Sequence, residues 1–272
     1  MERPRLTETT EIRVEKLFDF ERFDIKLEAE TIGRKFYYFD ECKSTNTSAF
    51  EKTEEAPPHG GVFFAERQSE GRGRHDRRWL SARGMNLTFS VLLTEKAYFN
   101  DPPLVGFAAA NGAAQAVENL FQLRAETKWP NDVLVGGKKI AGVLPESQSS
   151  GSNVERIVVG IGMNVNQTDF QGEFKILPTS VRLELGHLVE RERLLAETLT
   201  LLENQFEKLR QDPALVVHDW RNRCRALGDT VSVRVGDETK TGVFDDVDDR
   251  GRLLLKFKDE SIETVASGEI VA

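Results

Sequence analysis

The sequence of 272 residues is poor in the groups that mark several functional classes. Its two cysteines, Cys42 and Cys224, cannot build a disulfide framework, so a reduced, cytoplasmic setting is expected. Four scattered histidines include no His-Glu-x-x-His pair and no Cys/His metal cage. A Gly-x-Ser-x-Gly nucleophile elbow is also missing. Metalloprotease, zinc-finger and serine-hydrolase readings fall away. No apolar run approaches the roughly 20 residues that span a bilayer, and the opening MERPRLTETTEIRVEK has no hydrophobic stretch of a secretory signal. Positive charge is in deficit too. With 37 basic against 45 acidic residues the chain carries −8, which argues against broad binding to nucleic acid or anionic membranes. Neither an internal repeat nor an extended low-complexity segment is present.

What is there suffices for a sizeable core. With 39% apolar residues, this length predicts one large domain, or one of about 200 residues with a small companion. Residues 1–35 are charge-rich and weakly patterned, and read as an extension with one short helix, of which residues 1–30 are expected to be dispensable for activity. The aromatic run Phe36-Tyr37-Tyr38-Phe39 predicts a strand, and Ser44-Thr45-Asn46 opens a helix to Lys52 with side chains suited to capping. Strands at 61–65 and 86–93 flank a polar loop, 68–79. Asp101-Pro102 starts a helix to about Leu120, with Asp101 as its cap. Segments 127–135 and 138–144 flank Gly136-Gly137, a two-residue hairpin signal. Residues 147–153 read as a flexible loop and 156–164 as a strand. Leu195, Leu199, Leu202, Phe206 and Leu209 mark an amphipathic helix, and Asp212-Pro213 begins another that ends near Gly228. Short strands at 229–235, 240–244, 252–257 and 263–265 then suggest a small closed β-barrel. The expected organisation is an extension (1–35), an α+β domain (36–226) and a small β-barrel (227–272).

Four places carry possible chemistry. In Gln68-Ser69-Glu70-Gly71-Arg72-Gly73-Arg74-His75-Asp76-Arg77-Arg78-Trp79, four arginines fall within seven residues of an acidic chain. Gly71 and Gly73 permit positive φ, which would let backbone N–H groups converge on an anion. Arginine forks grip carboxylate or phosphate, and Trp79 could stack on a base or exclude water. Taken alone, the segment could equally be a solvated charged loop. The second place is Lys128-Trp129-Pro130-Asn131-Asp132, followed by Lys138-Lys139-Ile140-Ala141-Gly142. It presents lysines beside small residues but lacks the P-loop spacing, and a plain turn explains it as well. Third, Ser44-Thr45-Asn46 is explained by helix capping alone. Last, Gly160-Ile161-Gly162-Met163-Asn164 places glycines within a strand, the mark of a bulge or a close neighbour. Asn164 there either reads a ligand edge or closes a turn.

The ordered set is more telling than its parts. Ser-Thr-Asn, Gln with Gly-Arg-Gly-Arg and Trp, Lys-Trp-Pro-Asn-Asp, Lys-x-Ala-Gly and Gly-x-Gly-x-Asn, in this order, resembles the biotin protein ligases. The resemblance covers roughly residues 36–272. It implies a class II synthetase-like mixed sheet with helices, followed by a Src-homology-3-like β-barrel. It also implies two half-reactions. Biotin and ATP give biotinyl-5′-AMP and pyrophosphate, and a lysine of a biotin carboxyl carrier protein domain, as in acetyl-CoA carboxylase, then accepts the biotinyl group.

By this resemblance Lys128 bridges the biotin carboxylate and the α-phosphate, and Arg72 and Arg74 close over the pyrophosphate and acyl-adenylate. Ser44, Thr45, Asn46 and Gln68 are expected at the ureido ring, with Gly71, Gly73 and Gly142 along the biotin. Arg77, Trp79, Asn131, Lys139 and Asn164 are expected around the adenylate. Mg²⁺ is expected to arrive with ATP rather than in an all-protein cage. Two departures stand out: Asp76 where the family usually has glycine, and Pro145 in a strand position, which marks an edge or bulge. Some family members carry an amino-terminal DNA-binding domain. Residues 1–35 show no helix–turn–helix pattern, so a ligase without specific DNA binding or membrane contact is expected, and a homodimer through sheet edges is possible. A lipoate ligase shares the chemistry but has a tandem-arginine, glycine-triplet signature missing here. The remaining alternative is a degenerate, non-catalytic module that only docks carrier proteins.

Overall fold

The computed structural model describes residues 18–51, 58–75, 77–99, 101–151 and 153–271. Asp76 and Lys52, and the extension before Phe18, lie outside the described residues. Seven strands form the main sheet: β1 (Phe36–Cys42), β2 (Val62–Gln68), β3 (Leu87–Leu93), β4 (Ala125–Lys128), β5 (Asp132–Val135), β6 (Lys138–Ser150) and β7 (Asn153–Met163). Their order is β1-β2-β3-β7-β6-β5-β4, with β1 and β2 parallel and every other neighbour antiparallel. This is the mixed sheet of an α+β fold.

Alternation along β7 gives the sheet two different faces. Val159 and Ile161 join the large core under α3 (Pro102–Phe121), α5 (Arg191–Gln211) and α6 (Pro213–Arg223). Six alanines and two glycines of α3 are fully buried against neighbours, and Gly112 lies against the Leu201–Leu202 backbone of α5, where a Cβ would crowd it. On the opposite face Val158, Phe63 and Leu92 make a small cluster with Ala49 of α2 (Thr45–Glu51). Farther along this second face β7 carries only Gly160 and Gly162. The face is therefore left open beyond α2.

Several expectations need correction. Residues 147–153 are not a loop: β6 and β7 run on to pair Ser150 with Asn153, and a bulge at Gln148/Ser149 absorbs the irregularity. Pro145 pairs with Val159 of β7, while pairing to β5 stops at Gly142, so its missing N–H faces a free edge of β6. Segment 127–135 is two antiparallel strands, Lys128 opposite Asp132, folded back at a cis Trp129-Pro130 turn. Gly136 and Gly137, both at positive φ, make the expected hairpin. Asp101 precedes α3 without a side-chain cap bond, whereas Asp212 does cap α6. Helix α6 stops at Arg223, short of Gly228, and a short helix α4 (Val181–Leu185) had no sequence signal.

The weakly patterned segment before β1 is part of the core where it is described. Helix α1 (Phe20–Lys26) packs along α5 and buries Phe23, with Phe18, Leu27, Ala29 and Ile32 beside it. Glu203 of α5 accepts the N–H groups of Glu30, Thr31 and Ile32 at 2.6–2.9 Å. The second sheet holds β8 (Thr230–Val235), β9 (Glu238–Val247), β10 (Leu253–Lys256), β11 (Ile262–Val265) and β12 (Glu269–Ile270), all antiparallel in the order β11-β10-β9-β8-β12. Trp129 fastens it to the main body by donating its indole N–H to the Gly251 carbonyl at 3.0 Å. Among the described residues no helix is long and apolar enough to cross a membrane.

Candidate active site

The open face of the main sheet is the floor of a cleft of about 430 Å³. Every candidate binding residue named from the sequence lines it except Gly71. Gly71 instead supports the wall: a Cβ there would strike the Trp79 carbonyl, which lies over it. The wall is less loop-like than its composition suggests. Trp79 N–H bonds the Gly71 carbonyl at 2.9 Å, Arg72 bridges Arg78, and Gly73 N–H bonds the Arg77 carbonyl at 2.7 Å. Neither Gly71 nor Gly73 has positive φ, so the expected nest of N–H groups is not what these glycines provide; His75 is the left-handed residue.

The glycines of β7 and β6 seat side chains. A Cβ on Gly162 would run into the Trp79 indole, and one on Gly142 would touch both Trp79 and Lys139. On Gly160 it would hit the Asn46 carboxamide. The indole thus lies flat on the floor, and its buried Nε1 has no partner among the described residues. Lys139 Nζ stands 5.5 Å from the ring centroid and 2.6 Å from Asp132.

At one end, polar groups of α2 are tied into the sheet. Gln68 Oε1 accepts from Thr45 N–H (2.8 Å) and the Thr45 hydroxyl (3.2 Å). Ser90 Oγ lies 2.6 Å from both Thr45 Oγ1 and Asn46 Oδ1. Asn46 Nδ2 donates to Glu146 at 2.6 Å and to the Leu144 carbonyl. These side chains do more than cap a helix, and Ser44 is buried with them. Arg72 meets the same Glu146 at 3.0 Å. The two other candidate amides have backbone partners: Asn131 donates to the Val143 carbonyl, and Asn164 lies 3.4 Å from the Lys139 carbonyl. Asn164 thus holds the chain at Lys139 and also lines the cleft.

At the other end the cations gather on β12. Lys128 Nζ donates to the Ile270 carbonyl at 2.9 Å and Arg74 to the Gly268 carbonyl at 3.1 Å. Arg77 and Lys175 both reach Glu269, the latter at 2.9 Å. Burial pushes the Lys128 ammonium below its ordinary value; Asp132 and Glu269 oppose this, and Lys139 and Arg77 add to it. Arg74 is lowered by burial likewise, against the same two acids. Seven Arg and Lys side chains line the cleft against the three acids Asp132, Glu173 and Glu269, in a chain whose net charge is −8. Such a site suits a polyanion.

Sequence reasoning missed Ser90, Glu146, Lys175 and Glu269. It also missed the wall formed by 170–176, where Phe170 and Phe174 line the mouth. Only the spacing of those two aromatics offered a signal there.

Comparison with known proteins agrees with this arrangement. The sequence model of the Biotin/lipoate A/B protein ligase family matches residues 38–164, and that of the Biotin protein ligase C terminal domain matches 226–271. The biotin–[acetyl-CoA-carboxylase] ligase of Paracoccus denitrificans is 32% identical, over 78% of this chain and 90% of its own. The chain belongs to the biotin protein ligase family. The bifunctional ligase/repressor BirA of Bacillus subtilis is a further relative, 30% identical over 92% of this chain and 77% of its own. Among solved structures, the biotin protein ligase of Aquifex aeolicus in complex with biotin and ATP superposes with a TM-score of 0.76. It is 28% identical, over 87% of this chain and 97% of that one. The five-stranded second sheet is the carboxy-terminal domain of this ligase family.

Proposed function

We infer that this chain is an ATP-dependent ligase that activates biotin as biotinyl-5′-AMP and passes the biotinyl group to a carrier-protein lysine. The observation carrying this reading is the convergence of Lys128, Arg74 and Arg77 at one end of a cleft whose other end is the Thr45–Gln68–Ser90 hydrogen-bond cluster. In the first step a biotin carboxylate oxygen forms a bond to the α-phosphorus, and the bond to the β-phosphate oxygen breaks, releasing pyrophosphate. Nucleophile and target are both anionic, so their repulsion is the chief obstacle. A cation placed between them acts where charge builds up in the transition state.

Lys128 is the proposed bridging cation, because it lines the cleft with its Nζ held by the Ile270 carbonyl rather than by a carboxylate. Arg72 and Arg74 are proposed to hold the phosphates and the acyl-adenylate, with Lys139 beside the Trp79 ring. The ureido group offers two N–H donors and one acceptor, which Ser44, Thr45 and Gln68 can match with hydroxyls and an amide, Ser90 holding Thr45 from behind. Trp79 covers the floor and keeps water from the mixed anhydride. In the second step the carrier amine attacks the acyl carbon, and AMP leaves with the bond electrons. Mg²⁺ is proposed to come bound to the triphosphate. Among the described residues no three metal-ligating side chains cluster, and the cleft's Asp132 is paired with Lys139. The match to the biotin-specific carboxy-terminal domain favours biotin over lipoate.

The deciding experiment is ATP–pyrophosphate exchange. It should require biotin and fail with lipoate; exchange with lipoate alone, or none at all, would sink the reading.

A further inference from the structure

The cations of the cleft do not all come from the motif segments. Lys175, on the wall opposite the arginine hairpin, places its Nζ 2.9 Å from Glu269 Oε2. Arg77 reaches the same oxygen from the hairpin. On either side, the carbonyls of Gly268 and Ile270 receive Arg74 and Lys128. Four cations thus close on three consecutive residues that carry a single negative charge. Carbonyls offer dipoles only, Asp132 is engaged by Lys139 at 2.6 Å, and Glu173 is exposed at the mouth. The cluster is short of negative charge by several units, the condition that favours a multiply charged anion over a lone carboxylate.

We propose that Lys175 is a further phosphate-binding residue, gripping the pyrophosphate end of the nucleotide across from Arg77 at the point now marked by Glu269 Oε2. This rests on the ligase reading above and adds a residue to it. Two donors converging on one oxygen from opposite walls is the geometry a terminal phosphoryl oxygen needs. Both side chains are about half exposed, 45% for Lys175 and 47% for Arg77, so their pairs with Glu269 are weak and exchange readily. Lysine's flexible stem suits a charge that must follow a leaving group. The plainer alternative is that Lys175 only pins β12 through Glu269.

The test is calorimetric binding of inorganic pyrophosphate, and separately of biotin, to the full chain and to Lys175→Ala, Lys175→Arg and Glu269→Gln. Lys175→Ala should weaken pyrophosphate binding about tenfold, as loss of one charge-assisted hydrogen bond does, and leave biotin affinity unchanged. Lys175→Arg should stay within about threefold of the parent, since the charge is kept. Glu269→Gln, which breaks the same ion pair while keeping the lysine, should bind pyrophosphate as well as the parent or better. The proposal is overturned if Lys175→Ala binds pyrophosphate like the parent, if Glu269→Gln loses as much as Lys175→Ala, or if the parent binds no pyrophosphate. A parent that binds pyrophosphate yet shows no biotin-dependent exchange would refute the ligase reading and leave the Lys175 result standing on its own.

Discussion

Arg191 and Glu66, from α5 and β2, face each other with the two terminal guanidinium nitrogens on the carboxylate at 2.7 and 3.1 Å. Both side chains are almost completely buried. Glu66 also accepts the Phe18 N–H at 3.2 Å, and Arg191 donates to the Asn86 carbonyl at 3.1 Å. One pair therefore ties the amino-terminal segment, the strand that ends at Gln68, and the helix behind the sheet. Removing one partner strands a buried charge. Arg191→Met should lower the unfolding free energy by about 3–5 kcal/mol in urea, and adding Glu66→Gln should recover part of it. Additive losses in the double variant would show that the two groups are not coupled.

Residues 18–30 were expected to be dispensable, and the structure predicts otherwise. Deleting them removes Phe18, Phe23 and Leu27 from the core and uncovers α5. Each such loss typically costs about 2–5 kcal/mol, enough together to unfold a marginal domain. Thermal melting of the truncated chain should show a large drop in midpoint or no cooperative transition. An unchanged melt would place this segment outside the folding unit.

Lys128→Ala should slow adenylate formation about 10²- to 10³-fold while biotin affinity changes little. Single-turnover quench measurements separate the two quantities. An unchanged rate would leave Lys128 as an ordinary lysine bonded to a carbonyl.

Gly162→Ala should push the Trp79 indole off the cleft floor, because the new methyl would occupy the ring's place. Overpacking of this kind costs about 1–3 kcal/mol, and activity should fall with it. If the contact is the cause, Trp79→Ala combined with Gly162→Ala should melt no lower than Trp79→Ala alone.

Burial works to raise the Glu269 carboxyl, but hydrogen bonds from Arg77 and Lys175 outweigh it and hold the group down at about 2. For an acid depressed from an ordinary value of 4.5, the stabilisation is complete above 4.5 and is lost as the pH falls through about 2. Carbon-detected NMR titration should find Glu269 ionised at pH 4, and Lys175→Ala should move its midpoint upward. A midpoint near 4.5 in the parent would mean the pairing does not persist in solution.

The parts legible in the sequence are those dictated locally. Gly136-Gly137 announced its hairpin, the heptad-like leucines announced α5, and the motif residues pointed to one cleft. The rest depends on contacts between distant residues. Nothing near Phe18 in sequence shows that Glu66 and Arg191 will claim it. Gly160 and Gly162 announced a close neighbour but not that it would be Asn46 and Trp79, from segments 114 and 83 residues away respectively. The 147–153 stretch looked like a loop because serine and glycine are poor strand formers; pairing with β7 overrides that preference. Glu269 and Lys175 lie in short segments with no periodicity, and only the meeting of two sheets gives them meaning.

The surplus of four positive charges inside the cleft has a consequence for how substrates arrive. With −8 overall and +4 in the cleft, the remainder of the chain carries −12. An anionic nucleotide far from the protein feels mainly that outer negative charge, and feels the cleft only within a screening length. That length is about 30 Å at 0.01 M salt and about 8 Å at physiological strength. Moderate salt should hide the repulsive exterior before it hides the attractive pocket, so nucleotide capture should first quicken with ionic strength and then decline. Steered association to a uniformly attractive surface only slows as salt is added.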